Sequence, residues 1–374
     1  MNNRAPRERR LALLLTCLSV SLSLALFAPV AFSQEGRLVR ESVRSPSLEK
    51  NVTGESPDRR VSVYLPPSYD KEPGKRYPVV YLLHGITDTD EVWVTPWGPA
   101  HPGWATIPQV MNGGIAAGMF GEMIIVMPDE LTKWGGSFYT NSPVTGNWED
   151  FTVRDLVSYI DSKYRTLARA SSRGIAGHSM GGYGAIKLGM KHPDVYSVVY
   201  GLNPAALGWG RDLSIENPAF AYVLKENVKT QEEALKGGLY PLAVIVVAQA
   251  FSPNPGRPPL YVDFPFALVD GKLRPAEPAF SKWQENLPTN MVEKYGSNLS
   301  RLRGLRFDSG YEDEFTHIPP TARALSSALT AHGIDHVFEE YNGDHRNRLW
   351  GRTGRLATEV LPYFWLLLDS QAQK

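Results

Sequence analysis

Cysteine is almost missing from this 374-residue chain: Cys17 is the single one. It lies in an apolar stretch near the start. Without that stretch the chain has no disulfide, no thiol nucleophile and no thiolate metal site. Such a protein must be held by its core, and this one is long enough to bury one. Net charge is missing as well. The 39 basic and 39 acidic residues cancel, so the electrostatic footprint of a nucleic-acid binder is absent. Beyond the start, long apolar runs are lacking too. The longest, residues 239–251, is too short to cross a bilayer and carries Pro241. There is no internal repeat and no low-complexity tract.

What is present begins with Arg4, Arg7, Arg9 and Arg10, followed by an apolar or small run over residues 11–28. Ala31, Phe32 and Ser33 then precede Gln34. This layout predicts a signal peptide over residues 1–33, cut after Ser33, and a secreted or periplasmic protein. The run is long for a signal, so an N-terminal membrane anchor is the alternative. Thr16 before Cys17 argues against a lipoprotein anchor. Four basic residues and Glu8 leave with the signal. The remaining 35 basic and 38 acidic residues give a net charge of −3.

Residues 34–60 are polar and read as a loosely ordered lead-in that ends in the start of an edge strand. Residues 61–374 read as one α/β domain. Short apolar runs at 61–65 (VSVYL), 79–83 (VVYLL), 123–127 (MIIVM), 174–176, 195–201, 305–307 and 337–341 predict strands. Helical spacing over 147–165, 182–190, 321–332 and 355–368 predicts helices between them. This alternation predicts a mainly parallel sheet with helices on both faces, and ligands at the carboxyl ends of its strands. Residues 203–303 break the rhythm. They are Pro-rich, and they read as a long, partly helical, cap-like insertion.

The sequence GHSMG, from Gly177 to Gly181, fits G-x-S-x-G between a predicted strand and a predicted helix. Glycines on both sides permit a sharp turn that exposes the Ser179 hydroxyl, and the helix behind it aims free N–H groups at the same spot. A serine nucleophile needs a base, and the base needs an acid. The expected chain order is serine, acid, histidine. His345 follows the strand at 337–341 on the carboxyl side and is the candidate base; His317 is second. The loop after the strand at 305–307 offers Asp308, Glu312, Asp313 and Glu314 as the acid, and spacing alone does not separate Asp308 from Asp313. Oxyanion donors are expected at the Met180 amide and in the loop holding Gly85 and Ile86.

Five motifs then resemble the esterase D/feruloyl esterase group of α/β-hydrolases, which includes the antigen 85 mycolyltransferases. They are YPVVYLLHGITD (77–88), MPDELTKWGGSFYTNS (127–142), GHSMGGYGA (177–185), DSGYEDEF (308–315) and GDHRNRLW (343–350). The resemblance covers roughly residues 61–203 and 305–365. It implies an α/β-hydrolase fold and a catalytic triad of Ser179, Asp313 and His345. It implies backbone oxyanion donors at Ile86 and Met180, with no cofactor and no metal. Asp129, Tyr139 and Asn141 are implied to line the cleft, and His178 is a further candidate there. The insertion is longer than in compact members. An export signal also argues against a cytosolic formylglutathione hydrolase.

Trp93, Trp97, Trp104, Trp134 and Trp209 fall in loops expected at the catalytic end, and Trp350 follows His345. They predict either an aromatic-walled cleft or mere packing of the loops and cap. The leading expectation is an exported serine carboxylesterase acting on a sugar-linked, phenolic or short-chain acyl ester. The alternatives are an acyltransferase of antigen 85 type using the same triad, and a non-catalytic binding protein on a hydrolase fold.

Overall fold

The computed structural model describes residues 35–96 and 103–371. The expected leader, residues 1–33, and Trp97 lie outside the described residues.

Eight strands form one sheet: β1 (Arg37–Arg44), β2 (Asp58–Leu65), β3 (Val79–Leu83), β4 (Ile124–Pro128), β5 (Arg173–His178), β6 (Val198–Leu202), β7 (Gly304–Gly310) and β8 (Val337–Tyr341). Their spatial order is β1-β2-β4-β3-β5-β6-β7-β8. β2 runs antiparallel to β1 and β4, and every neighbouring pair from β4 to β8 is parallel. This is the order of an α/β-hydrolase.

Alternation along the strands builds two cores. Val79, Tyr81 and Leu83 of β3 face one, and Val80 and Leu82 face the other. The first core is covered by α2 (Leu156–Lys163), α3 (Met180–Lys191) and α6 (Ile318–Ala331). The second is covered by α1 (Ile107–Ala116) and α7 (Leu361–Leu367). All five residues of β3 are buried, and each such Val or Leu contributes about 1.5–3 kcal/mol. This is why the central strands read as unbroken apolar runs.

Three elements differ from the sequence-based expectation. The polar lead-in is ordered where it is described. Residues 37–44 pair along their full length with β2, because an edge strand exposed on one side tolerates polar side chains. The helix expected to begin at 321 begins at Ile318, since Pro319 and Pro320 occupy its first turn, where a missing N–H costs nothing. The insertion is more than a cover. It carries helix α4 (Leu239–Phe251), a short hairpin over 266–275, and α5 (Pro288–Leu299). α5 packs on α3 and α6 and belongs to the layer covering the sheet.

Register brings the strand ends level. Leu83 pairs with Gly177, His178 with Leu202, Leu202 with Asp308, and Gly310 with Tyr341. The loops after β3, β5, β6, β7 and β8 therefore open at one edge of the sheet.

Candidate active site

Ser179 stands between β5 and α3 with φ 57° and ψ −117°, a conformation L-residues seldom adopt. Its N–H bonds the Leu202 carbonyl at 2.9 Å, which fixes the turn against β6. The flanking glycines are needed for space. A Cβ on Gly177 would overlap the Gly181 carbonyl, and one on Gly181 would overlap that of Leu83. Ser179 is the point of this strained turn, at the N-terminus of α3.

Asp313 and His345 come from the loops after β7 and β8. Asp313 Oδ2 lies 2.7 Å from His345 Nδ1, and its other oxygen accepts the Phe315 N–H at 2.9 Å. Both side chains are buried. The carboxylate holds the ring with Nδ1 protonated and Nε2 bare. Burial pushes the His345 imidazole below its ordinary value, so the ring stands neutral, as a base must. Asp308 is elsewhere: it accepts from the Tyr200 hydroxyl and Arg355 Nε, both at 2.8 Å, beneath the site. Among the described residues the Ser179 hydroxyl makes no hydrogen bond; in unliganded sites such bonds are often formed only with substrate.

The two expected oxyanion amides are free. Among the described residues neither the Ile86 nor the Met180 N–H has a partner within the protein, and both residues line a cavity with Ser179. A buried scaffold shapes the loop that carries Ile86. Glu130 N–H donates to His84 Nε2, so His84 Nδ1–H donates to the Gly85 carbonyl, each at 2.8 Å. The Tyr139 hydroxyl donates to the His84 carbonyl at 2.8 Å. Thr87 N–H is held by the Gly135 carbonyl at 2.7 Å.

The other candidates fall in varied places. Tyr139 is buried beneath the oxyanion loop and supports it. His178 is buried, and its Nε2–H donates to the His345 carbonyl at 2.8 Å. Asp129 is half-buried and pairs with Arg59 at 3.3 Å. Asn141 is exposed and exchanges hydrogen bonds with Asp150. Trp93 and Trp350 are buried, their rings 4.7 Å apart in the second core, with Trp104 stacked on Trp350. Trp209 stacks on Phe280 and Trp283 of the insertion. The rings pack the loops and the insertion, and the cavity at Ser179 is walled instead by residues such as Val244, Val247 and Phe315.

Sequence reasoning passed over several groups. Asn203, buried after β6, donates to the His345 carbonyl at 3.0 Å and to the Tyr341 hydroxyl at 2.7 Å. It also accepts the Gly310 N–H at 2.7 Å, tying three strand ends together. Its position at the carboxyl end of a strand was the available signal. Asp212 of the insertion accepts from the N–H groups of Thr316 and His317 and from His317 Nδ1–H, each at 2.7 Å, and from the Tyr240 hydroxyl. His317 thus has its own carboxylate and lines the cavity. Nothing in the sequence links Asp212 to it, a hundred residues away. No group of His, Cys, Asp or Glu among the described residues is arranged to hold a metal ion.

The family model described as "Putative esterase" matches residues 55–353. The chain belongs to this esterase family. It is 35% identical over 138 residues to Esterase Rv1288 of Mycobacterium tuberculosis (strain ATCC 25618 / H37Rv). That match covers 35% of this chain and 26% of the relative, so the chain spans about a quarter of the relative's length. Among solved structures, one titled "ferulic acid esterase" superposes with a TM-score of 0.59 at 23% identity, covering 89% of this chain and 99% of that one. The fluorophosphonate-binding serine hydrolase FphF of Staphylococcus aureus gives 0.55 at 15% identity, covering 90% and 100%. At these identities the likeness establishes the α/β-hydrolase fold of this chain. No helix among its described residues is long and apolar enough to cross a membrane.

Proposed function

We propose that this chain is a serine carboxylesterase that works through Ser179, His345 and Asp313. The observation that carries the reading is the buried 2.7 Å Asp313–His345 pair at the same sheet edge as a serine held in a strained turn. His345 Nε2 takes the Ser179 proton as Oγ attacks the ester carbonyl. The charge that develops on the carbonyl oxygen is met by the free amides of Ile86 and Met180, donors of a kind worth about 10²–10³ in rate each. His345 then protonates the departing alcohol. A water, deprotonated by the same ring, releases the acid from Ser179. Asp313 keeps the ring in the tautomer both steps need.

Export belongs to the same proposal, supported by the basic start and apolar run of residues 1–33. N-terminal sequencing of the protein recovered from outside the cytoplasm is expected to begin at Gln34. Recovery in membranes with residues 1–33 retained would favour the anchor. For the chemistry, rapid quenching with a p-nitrophenyl ester followed by peptide mass spectrometry is expected to find the acyl group on Ser179. An acyl adduct on another residue, or turnover with none on Ser179, would refute the mechanism.

A further inference from the structure

We infer that the acyl group accepted at Ser179 is short and aliphatic, and that helix α4 of the insertion sets this limit; the inference rests on reading Ser179 as the nucleophile. Two observations carry it. The first is size. The cavity beside Ser179 has a volume of about 60 Å³, whereas an apolar cavity that takes a benzene ring is about 150 Å³. An acetyl or butyryl group is of this size, whereas an aromatic acyl group such as feruloyl exceeds it and would have to extend out through the cavity's open side.

The second is polarity. The wall is aliphatic and aromatic, with Ala243, Val244 and Val247 contributed by α4 and Phe138 and Phe315 facing them. Its polar side chains besides Ser179 are His317 and Tyr240, and their polar atoms are already engaged. The Tyr240 hydroxyl and His317 Nδ1–H go to Asp212, and His317 Nε2 accepts the Ala206 N–H at 3.3 Å. A phenolic or sugar hydroxyl placed in this cavity would lose water and find no unengaged side-chain partner besides Ser179, since the free Ile86 and Met180 amides are taken by the ester carbonyl.

The wall is also tied down. Asp212 joins the first turn of α4, through Tyr240, to Thr316 and His317 in the loop that carries Asp313 and Phe315. The opposite flank of α4 is buried in the first core through Leu242, Ile245 and Val246. Enlarging the cavity by swinging α4 outward would break both sets of contacts. The specificity therefore lies in the side chains of α4 that face Ser179.

The test measures kcat/KM of the full chain on p-nitrophenyl acetate, butyrate and octanoate and on methyl ferulate. Labelling of Ser179 by a fluorophosphonate serves as the independent readout of the nucleophile. Wild type is expected to favour acetate and butyrate over octanoate by about tenfold or more, and to leave methyl ferulate intact. Val244→Ala with Val247→Ala is expected to raise octanoate relative to acetate by about tenfold. Ala243→Phe, which fills the cavity from the same helix, is expected to cost butyrate more than acetate. Wild type that labels at Ser179 but prefers octanoate or ferulate overturns the inference alone. So do variants that label while keeping the wild-type chain-length profile. A chain that neither labels nor hydrolyses any of these esters overturns the nucleophile reading, and this inference with it.

Discussion

His178 Nε2–H donates to the backbone carbonyl of His345 across 2.8 Å, so the residue before Ser179 holds the loop that carries His345. The two rings lie 4.5 Å apart, and burial keeps His178 neutral. His178→Ala leaves Asn203 as the remaining side-chain donor to that carbonyl. The expected result is a fall in kcat of about 10²-fold, the cost of misplacing a reacting group by an ångström, with a smaller change in KM. His178→Gln, whose amide nitrogen reaches the same region, is expected to recover part of kcat. Equal losses for Gln and Ala would argue that His178 only fills space.

Asp308 and Asp313 sit five positions apart with different partners, and their variants are expected to separate activity from stability. Asp313→Asn removes the acceptor that sets the His345 tautomer, and kcat is expected to fall by about 10⁴-fold with the fold retained. Asp308→Asn strips the charge that Arg355 meets in the interior. It is expected to lose about 3 kcal/mol in urea unfolding, as breaking a buried pair does, while kcat stays within a few-fold. The reverse pattern would reassign the acid.

Much of this was legible in the chain. Strands buried on both faces are unbroken apolar runs, as at 79–83, and the glycines around Ser179 announce a turn that other residues cannot make. The sequence motifs also pointed to Asp313 and His345. What was not legible depends on contacts between distant residues. Asp212 meets His317 only because the insertion folds back onto the loop after β7. The polar lead-in forms a strand only because β2 offers it an edge. The positions of the tryptophans leave an aromatic cleft and plain packing equally open, because a large ring buries as well in a loop core as in a binding site. The helix expected from 321 starts at Ile318, because Pro319 and Pro320 are tolerated in a first turn, where local spacing alone does not mark the start.

In the proposed mechanism the neutral ring of His345 is the base, so its protonation is expected to abolish activity as pH falls. Burial lowers the value at which this happens below the ordinary 6.5 of imidazole. The acid limb of kcat/KM is therefore expected to have its midpoint below pH 6.5, with activity full above it. A midpoint near 7 or above would instead report Asp313, whose carboxyl burial raises to about 7, or its charge holding the proton on the ring.

Glu149 is expected to mark the acid side of stability. Burial alone would raise its carboxyl, but His192 and Lys191 hold it down to about 2 from 4.5. A depressed carboxyl stabilises the fold above its unfolded value. That contribution is lost as pH falls from about 4.5 towards 2. Urea midpoints of wild type should drop through this window, and Glu149→Gln should flatten the drop. Parallel curves for the two proteins would remove Glu149 as a cause.

The most direct test of the account compares the full chain with its Ser179→Ala variant in hydrolysis of p-nitrophenyl acetate, both shown folded by circular dichroism. The account predicts turnover by the wild type and a loss of at least about 10³-fold in the variant, leaving only what the oxyanion amides and binding supply. Equal rates in the two proteins would contradict it, and would place any esterase chemistry of this chain somewhere other than Ser179.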